Sequence, residues 1–265
     1  MLQQPLQTWI ETHIVRASAP PVLFVSGAQG VGKSTAVAAC AEGSAHRIAA
    51  LGVDDFYLDH EDRHRLAAEV HPLFATRGPP GTHDLPLLHE SLDALVNASP
   101  STQTRLPRFD KARDRRAPRG DYATFDGRPD AIVVEGWLMG VNPDAAAPLA
   151  APLNAVEARD PEGHWRAYQE VQLSDPYARL WDRADAFFHI DVPDFSVVRD
   201  WRIEQEETTL GLPKGTLPDD HRSWVETFIL HYERLTRRML EGHRRPGEVA
   251  RVDAHRQPLP AAEGV

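Results

Sequence analysis

The sequence predicts an α/β fold in which a mainly parallel sheet carries helices on both faces. Three observations lead there. Short apolar runs at 20–26, 47–53, 131–134 and 186–190 have the length and continuity of strands buried on both sides. Segments with helical spacing alternate with them. A glycine-rich stretch, GAQGVGKST at 27–35, sits between the first apolar run and the first helical segment.

The N-terminal stretch 1–19 reads as an amphipathic helix with Leu6, Trp9, Ile10 and Ile14 on one side. PPVLFVS at 20–26 is the first buried strand, and Lys33 to Glu42 the helix after the glycine loop. RIAALGV at 47–53 is the second strand and ends at Asp54-Asp55; residues 59–70 are helical, and 71–83, with several Pro and Gly, form a loop. Asp84 is an N-cap for a helix to about Val96, with Leu88, Leu92 and Leu95 at helical spacing. Residues 99–130 are polar, basic and broken by Pro and Gly, which makes them an excursion from the core with a small hairpin. AIVV at 131–134 is the third strand, ending at Glu135-Gly136. The Ala/Pro-rich 141–160 is a surface loop, and Asp160-Pro161 is an N-cap with proline at the first helical position. AFFHI at 186–190 is the fourth strand. Pro193-Asp194 opens a helix to about Thr209, with a loop to Asp220. Over 221–240 one long amphipathic helix is expected, its core stripe being Trp224, Phe228, Tyr232, Leu235 and Met239; 248–254 is a last strand. All of this fits one domain spanning 1–265.

Composition narrows the function classes. Hydrophobic residues make up 42% and charged residues 26%, as in an ordinary globular chain. A net charge of −10 argues against a general nucleic-acid binder, which carries a basic surplus. No apolar run approaches the ~20 residues of a membrane span, and the N-terminus lacks a secretory signal pattern. The single cysteine, Cys40, excludes an internal disulfide and reads as a small buried hydrophobe; it suits a cytoplasmic setting.

The spacing Gly27-x-x-x-x-Gly32-Lys33-Ser34 matches the Walker A pattern, and the flanking strand and helix are where that pattern needs them. Glycines let successive N–H groups turn inward on phosphate oxygens, and the helix adds its positive N-terminal end. Gly27, Ala28, Gln29, Gly30, Val31, Gly32, Lys33, Ser34 and Thr35 are therefore the expected nucleotide cradle of a P-loop NTPase fold. Lys33 reaches the β and γ phosphates of ATP, and the Ser34 hydroxyl is a Mg²⁺ ligand. In open α/β sheets ligands bind at the carboxyl ends of the strands. Asp54 and Asp55 lie at one such end and Glu135 at another. On local sequence alone a helix cap explains Asp54 and Asp55 as well as a catalytic base does.

The ordered segments VDDFYL (53–58), PGTHDL (80–85), PRFDKA (107–112), VVEGW (133–137) and WRIEQE (201–206), added to the glycine loop, resemble the glycerate-kinase-like branch of P-loop kinases. That branch is related to uridine kinase, phosphoribulokinase and pantothenate kinase. The resemblance runs from about residue 20 to 242. It implies Asp54 as catalytic base, with Tyr57 in the same motif, and Glu135 as the Walker B carboxylate beside Mg²⁺. It places His83, Asp84, Arg108, Asp110 and Lys111 in segments that face a small-molecule acceptor. Arg202 falls on a lid-like helix (194–220), where an arginine covers the transferring phosphoryl group. Arg113, Arg115 and Arg116 read as a solvated basic run, and Trp137 as a packing residue at the edge of the acceptor pocket.

The activity this implies is transfer of the ATP γ-phosphoryl group to a hydroxyl of a small, anionic, D-glycerate-like metabolite. Two alternatives stand beside it: a nucleoside or pantothenate kinase, with an aromatic acceptor pocket, and a nucleotide-dependent switch or assembly ATPase, for which the sequence has no NKxD-type element.

Overall fold

The computed structural model describes residues 2–260. Helix α1 (Gln3–Arg16) precedes strand β1 (Val22–Gly27), and α2 (Lys33–Gly43) leads to β2 (Ile48–Gly52). Every residue of β1 is buried, as a strand covered on both faces requires. Leu6, Trp9 and Ile10 of α1 are buried, with Ile14 packed against the same core, and Cys40 of α2 is buried too. A 3-10 turn over Val53–Phe56 is followed by α3 (His60–Glu69), a second 3-10 turn and α4 (Leu85–Val96). Asp84 caps α4, its Oδ1 accepting the Leu87 N–H at 3.0 Å. Leu88, Leu92 and Leu95 lie in the core.

The excursion at 99–130 is two nested antiparallel ribbons. Strands β3 (Gln103–Leu106) and β6 (Ala123–Asp126) pair outside, and β4 (Phe109–Asp110) and β5 (Arg115–Arg116) pair inside. Then come β7 (Ala131–Gly136), α5 (His164–Ser174), α6 (Pro176–Trp181), β8 (Ala186–Asp191), α7 (Phe195–Thr209), α8 (Asp219–Ile229), α9 (Glu233–Leu240), β9 (Glu248–Val252) and β10 (Pro258–Leu259).

The central sheet has the order β10-β9-β8-β1-β7-β2. All its neighbours are parallel except β10, which turns back antiparallel on β9. Helices flank it; α1 packs on α2, and α4 on α6. The register matters most for function. Glu135 lies level with Val25 on one side and Gly52 on the other, so the glycine loop, the 53–56 turn and the end of β7 emerge together at one edge.

Three expectations need correction. The helix expected over 221–240 is two helices, α8 and α9, joined by a 3-10 turn at Leu230–Tyr232. That turn shifts the helical phase. Tyr232, Leu235 and Met239 are buried, but Trp224 is half exposed and outside the core. Asp160 does not open a helix with Pro161 at its first position. Helix α5 begins at His164, and Asp160 caps it from a distance by accepting N–H bonds from Trp165 at 3.1 Å and Arg166 at 3.2 Å.

The third correction concerns 141–160, which is not a free surface loop. Val141, Ala147, Val156 and Glu157 are buried. Polar side chains satisfy its backbone: Arg166 donates to Ala147 O, Ala150 O and Asp160 O, and Arg234 donates to Ala151 O. The Glu170 carboxylate accepts the Asp144 N–H and holds Arg238 through two nitrogens at 2.7 and 2.9 Å. An irregular segment can be buried only when its peptide groups find such partners.

Removing one member of that pair isolates the other. In Glu170→Leu, Arg238 stays buried with only the half-exposed Asp144 at 3.9 Å as counter-charge. The expected loss of stability is about 3 kcal/mol or more. Urea unfolding checks it, with a lower midpoint and an unchanged m-value.

Candidate active site

The glycine loop is built as a cradle. Gly30 and Gly32 have φ of +77° and +99°, a region that side-chain-bearing residues rarely occupy. A Cβ at Gly30 would lie 2.7 Å from the Trp201 Cβ, so the loop is pressed against α7. The turn after β9 braces the same place. Arg256 donates to Gly30 O and to Glu204, both at 2.8 Å, and its guanidinium covers the Trp201 ring. Trp201 in turn donates from Nε1 to Ala254 O at 3.0 Å.

Nothing lies within 4 Å of a Cβ built on Gly32, so the cradle opens outward at the N-terminus of α2. Ala28 and Val31 pack inward, and Ser34 and Thr35 face out. Lys33 is buried, and among the described residues its Nζ reaches only the Ala28 carbonyl, at 3.1 Å. Burial lowers its pKa, while Glu135 and Asp54 oppose the shift. Both amide atoms of Gln29 are buried without partners. A desolvated ammonium beside outward-opening backbone at a helix start fits a polyphosphate.

Carboxylates surround this cradle. Glu135 accepts the Ser34 hydroxyl at 2.5 Å. A Cβ on Gly52 would stand 3.4 Å from Glu135 Oε1 and 3.5 Å from Asp55 Oδ2, so this glycine leaves room for both acids. Burial pushes the Glu135 and Asp55 carboxyls up; Lys33 and Ser34 oppose this at Glu135, and the Phe109 N–H and Lys111 at Asp55. Among the described residues no group of three or more His, Cys, Asp or Glu side chains is placed to hold a metal. A Ser34 hydroxyl with one carboxylate suits Mg²⁺, which takes few protein ligands and completes its shell with phosphates and water.

Asp54 faces this group from the 53–56 turn. Burial alone would raise its pKa, but Lys111 Nζ at 2.7 Å and the Tyr57 hydroxyl at 2.7 Å outweigh that and hold the carboxyl well below its usual range. Tyr57 is itself held by the THD segment. Tyr57 and His83 form an antiparallel bridge, and the Asp84 N–H donates to Phe56 O at 2.6 Å. His83 is buried and sits against the Tyr57 ring, with Nδ1 2.6 Å from the Tyr177 hydroxyl. The same hydroxyl accepts the Gly81 N–H at 3.3 Å, so Tyr177 ties the imidazole to the backbone of the THD segment. Burial takes His83 down to about 4, and Nε2 is buried without a partner.

The remaining expected residues divide. Asp84 caps α4 and pairs with Arg116 at 2.7 Å. Lys111 lies on Asp54. Asp110 is committed to its own turn, accepting the N–H groups of Ala112 and Arg113, and Arg108 is exposed. Arg202 lies along its helix on Glu206 and over the Phe228 ring. Trp137 is buried, edge-on to Tyr232. Arg116 was expected in solvent. It is half buried, bonding Asp84, the Tyr57 carbonyl and, through its N–H, Asp59. Tyr177 had no sequence signal, because it meets His83 from 94 residues away.

No family model matches the chain. It is 32% identical to the chloroplastic D-glycerate 3-kinase of Arabidopsis thaliana over 71% of this chain and 41% of that protein. It is 28% identical to a probable ATP-dependent kinase, TDA10, of Saccharomyces cerevisiae over 88% of this chain and 82% of the relative. The structure of a D-glycerate 3-kinase from Cryptococcus neoformans superposes with a TM-score of 0.78 at 24% identity, covering 98% of both chains. The fold is that of the P-loop kinases, and the chain is homologous to kinases. No helix among the described residues is long and apolar enough to cross a membrane.

The opposition of burial and Lys111 at Asp54 has a measurable sign. In Lys111→Met the largest downward influence is lost while burial and the Tyr57 hydrogen bond remain, so the Asp54 pKa is expected to rise. A carboxyl ¹³C titration checks it: the Asp54 resonance is expected to titrate at higher pH in the variant than in the parent.

Proposed function

We propose that this chain, a homologue of the glycerate-kinase-like branch of P-loop kinases, transfers the γ-phosphoryl group of ATP to a hydroxyl of a small anionic acceptor such as D-glycerate. The observation that carries this is the meeting of three unlike groups at one sheet edge: the Lys33 ammonium, the Ser34–Glu135 pair and the Asp54 carboxylate, with Lys33 within the field of both acids. A switch ATPase needs the first two. The carboxylate of Asp54, oriented by Tyr57, is what an alcohol acceptor needs in addition.

In this reading the acceptor hydroxyl gives its proton to Asp54 as its oxygen bonds the γ-phosphorus. The bond from that phosphorus to the β–γ bridging oxygen breaks, and ADP leaves. Lys33 and the backbone of 27–35 hold the phosphate oxygens in line. Ser34 and Glu135 would hold Mg²⁺, which neutralises phosphate charge when bound. Arg202 leaves Glu206 to spread charge over the transferring group. His83, which lies close enough to Asp54 to perturb it and whose buried Nε2 has no partner among the described residues, offers that nitrogen to the acceptor. Lys111 has to move off Asp54, since a carboxylate held this far down is a weak base.

The decisive measurement is ADP release with D-glycerate, uridine, pantothenate and ribulose 5-phosphate offered separately. D-glycerate is expected to stimulate turnover most. Asp54→Asn should lower transfer to that acceptor about 10²–10⁴-fold. Turnover indifferent to every alcohol, or an Asp54→Asn protein with normal transfer, would refute the reading.

A further inference from the structure

The proposed chemistry leaves two arginines unused. Arg63 lies on α3 and its side chain is 1% exposed; Arg77 lies in the loop before the THD segment. Both bind one carboxylate, that of Asp114. Arg63 Nη1 donates to Asp114 Oδ1 at 3.2 Å and Nη2 to Oδ2, and Arg77 Nη1 donates to Oδ1 at 2.5 Å. The Phe109 ring packs against both guanidiniums, 6.0 Å from one and 5.9 Å from the other.

Charge does not close at this place. Two guanidinium groups face one carboxylate, and among the described residues no other acid bonds either arginine. Arg63 Nε is buried with no partner. Surplus buried positive charge with an unfilled donor is costly unless an anion completes it. The place also adjoins the reacting groups. Tyr57, which bonds Asp54, meets the edge of Phe109 at 5.3 Å. The Tyr232 hydroxyl donates to Arg77 O, and it lies in the combined field of Asp54, Arg77, Arg202 and Arg63. Arg77 lies within the field of the Tyr57 hydroxyl, the group that bonds Asp54.

Asp114 is a displaceable occupant. It sits at the tip between β4 and β5 with φ of +53°, and its side chain is 34% exposed. The same tip carries Lys111, which covers Asp54. One short ribbon thus presents a cation to the acid and a carboxylate to the arginines.

We propose that Arg63 and Arg77 form the acceptor's anion-binding half-site, that Asp114 is its internal occupant, and that a carboxylate-bearing acceptor displaces it. Because Asp114 and Lys111 share one tip, filling the arginine site draws Lys111 from Asp54. The acceptor class is then a short-chain hydroxy acid, its hydroxyl a few atoms from its carboxylate. This rests on the kinase reading above.

The test sets two substitutions against each other. Arg77→Gln removes a donor to the acceptor, and Asp114→Asn removes its competitor. Arg63 is so deeply buried that its replacement endangers the fold, so it is left intact. With D-glycerate, Arg77→Gln is expected to raise KM about 30-fold or more, and Asp114→Asn to lower it severalfold. With glycerol, which lacks the carboxylate, neither variant should change the weak turnover in the same proportion. If the Arg63–Arg77–Asp114 cluster were only structural, both substitutions would weaken D-glycerate alike. That result, or an unchanged D-glycerate-to-glycerol ratio, overturns the proposal. Calorimetric titration of D-glycerate separates it from the kinase reading. Should no alcohol stimulate ADP release, the kinase reading fails. The half-site then stands if D-glycerate binding is weakened by Arg77→Gln and strengthened by Asp114→Asn, and falls if D-glycerate does not bind the parent.

Discussion

Strand register governs this molecule more than any single contact. Glu135 pairs in the sheet with Val25 on one side and Gly52 on the other. That alignment brings the phosphate loop after β1, the acidic turn after β2 and the carboxylate near the end of β7 to one edge. A slip of one residue in a strand would turn its side chains to the opposite face. The fully buried apolar strands make such a slip costly, so the packing of Val22–Val25 and Ala131–Val134 also fixes the spacing of Ser34 and Glu135.

Around this edge the charges are arranged in opposition. Burial works against the ionised forms of Lys33, Glu135 and Asp55, while their neighbours support them. At Asp54 the neighbour wins, because Lys111 is in direct contact. The nested ribbons at 103–126 have no extensive core of their own, so charge and a few aromatic contacts seat them. Leu106, Phe125 and Phe109 are the apolar anchors, and Lys111, Asp114 and Arg116 are the polar ones.

Much of this was legible in the sequence. The central strands and the helices that follow them announce themselves as short apolar runs and helical stripes, which depend only on neighbours in the chain. The glycine loop did so too, because its function rests on backbone geometry that glycine spacing encodes. What could not be read depends on distant partners. Arg116 looked like part of a solvated run, since nothing local shows that Asp84 lies opposite. Asp110, by contrast, belonged to a motif and yet satisfies its own turn. The continuous helix expected at 221–240 failed because three residues of tighter winding leave the apolar spacing intact while moving Trp224 out of the core. The 141–160 segment is composed like a loop, and only the arginines and glutamates of later helices bury it.

The brace on Gly30 carries an implication for synthesis. The loop that would grip phosphate begins at residue 27, yet its carbonyl is held by Arg256, 226 positions further along. On the other flank it leans on Trp201, which is itself tied to Ala254. A growing polypeptide therefore lacks this brace until residue 256 has been made. This flank of the grip is closed last, by the docking of the turn at 253–257 on Gly30 and Trp201.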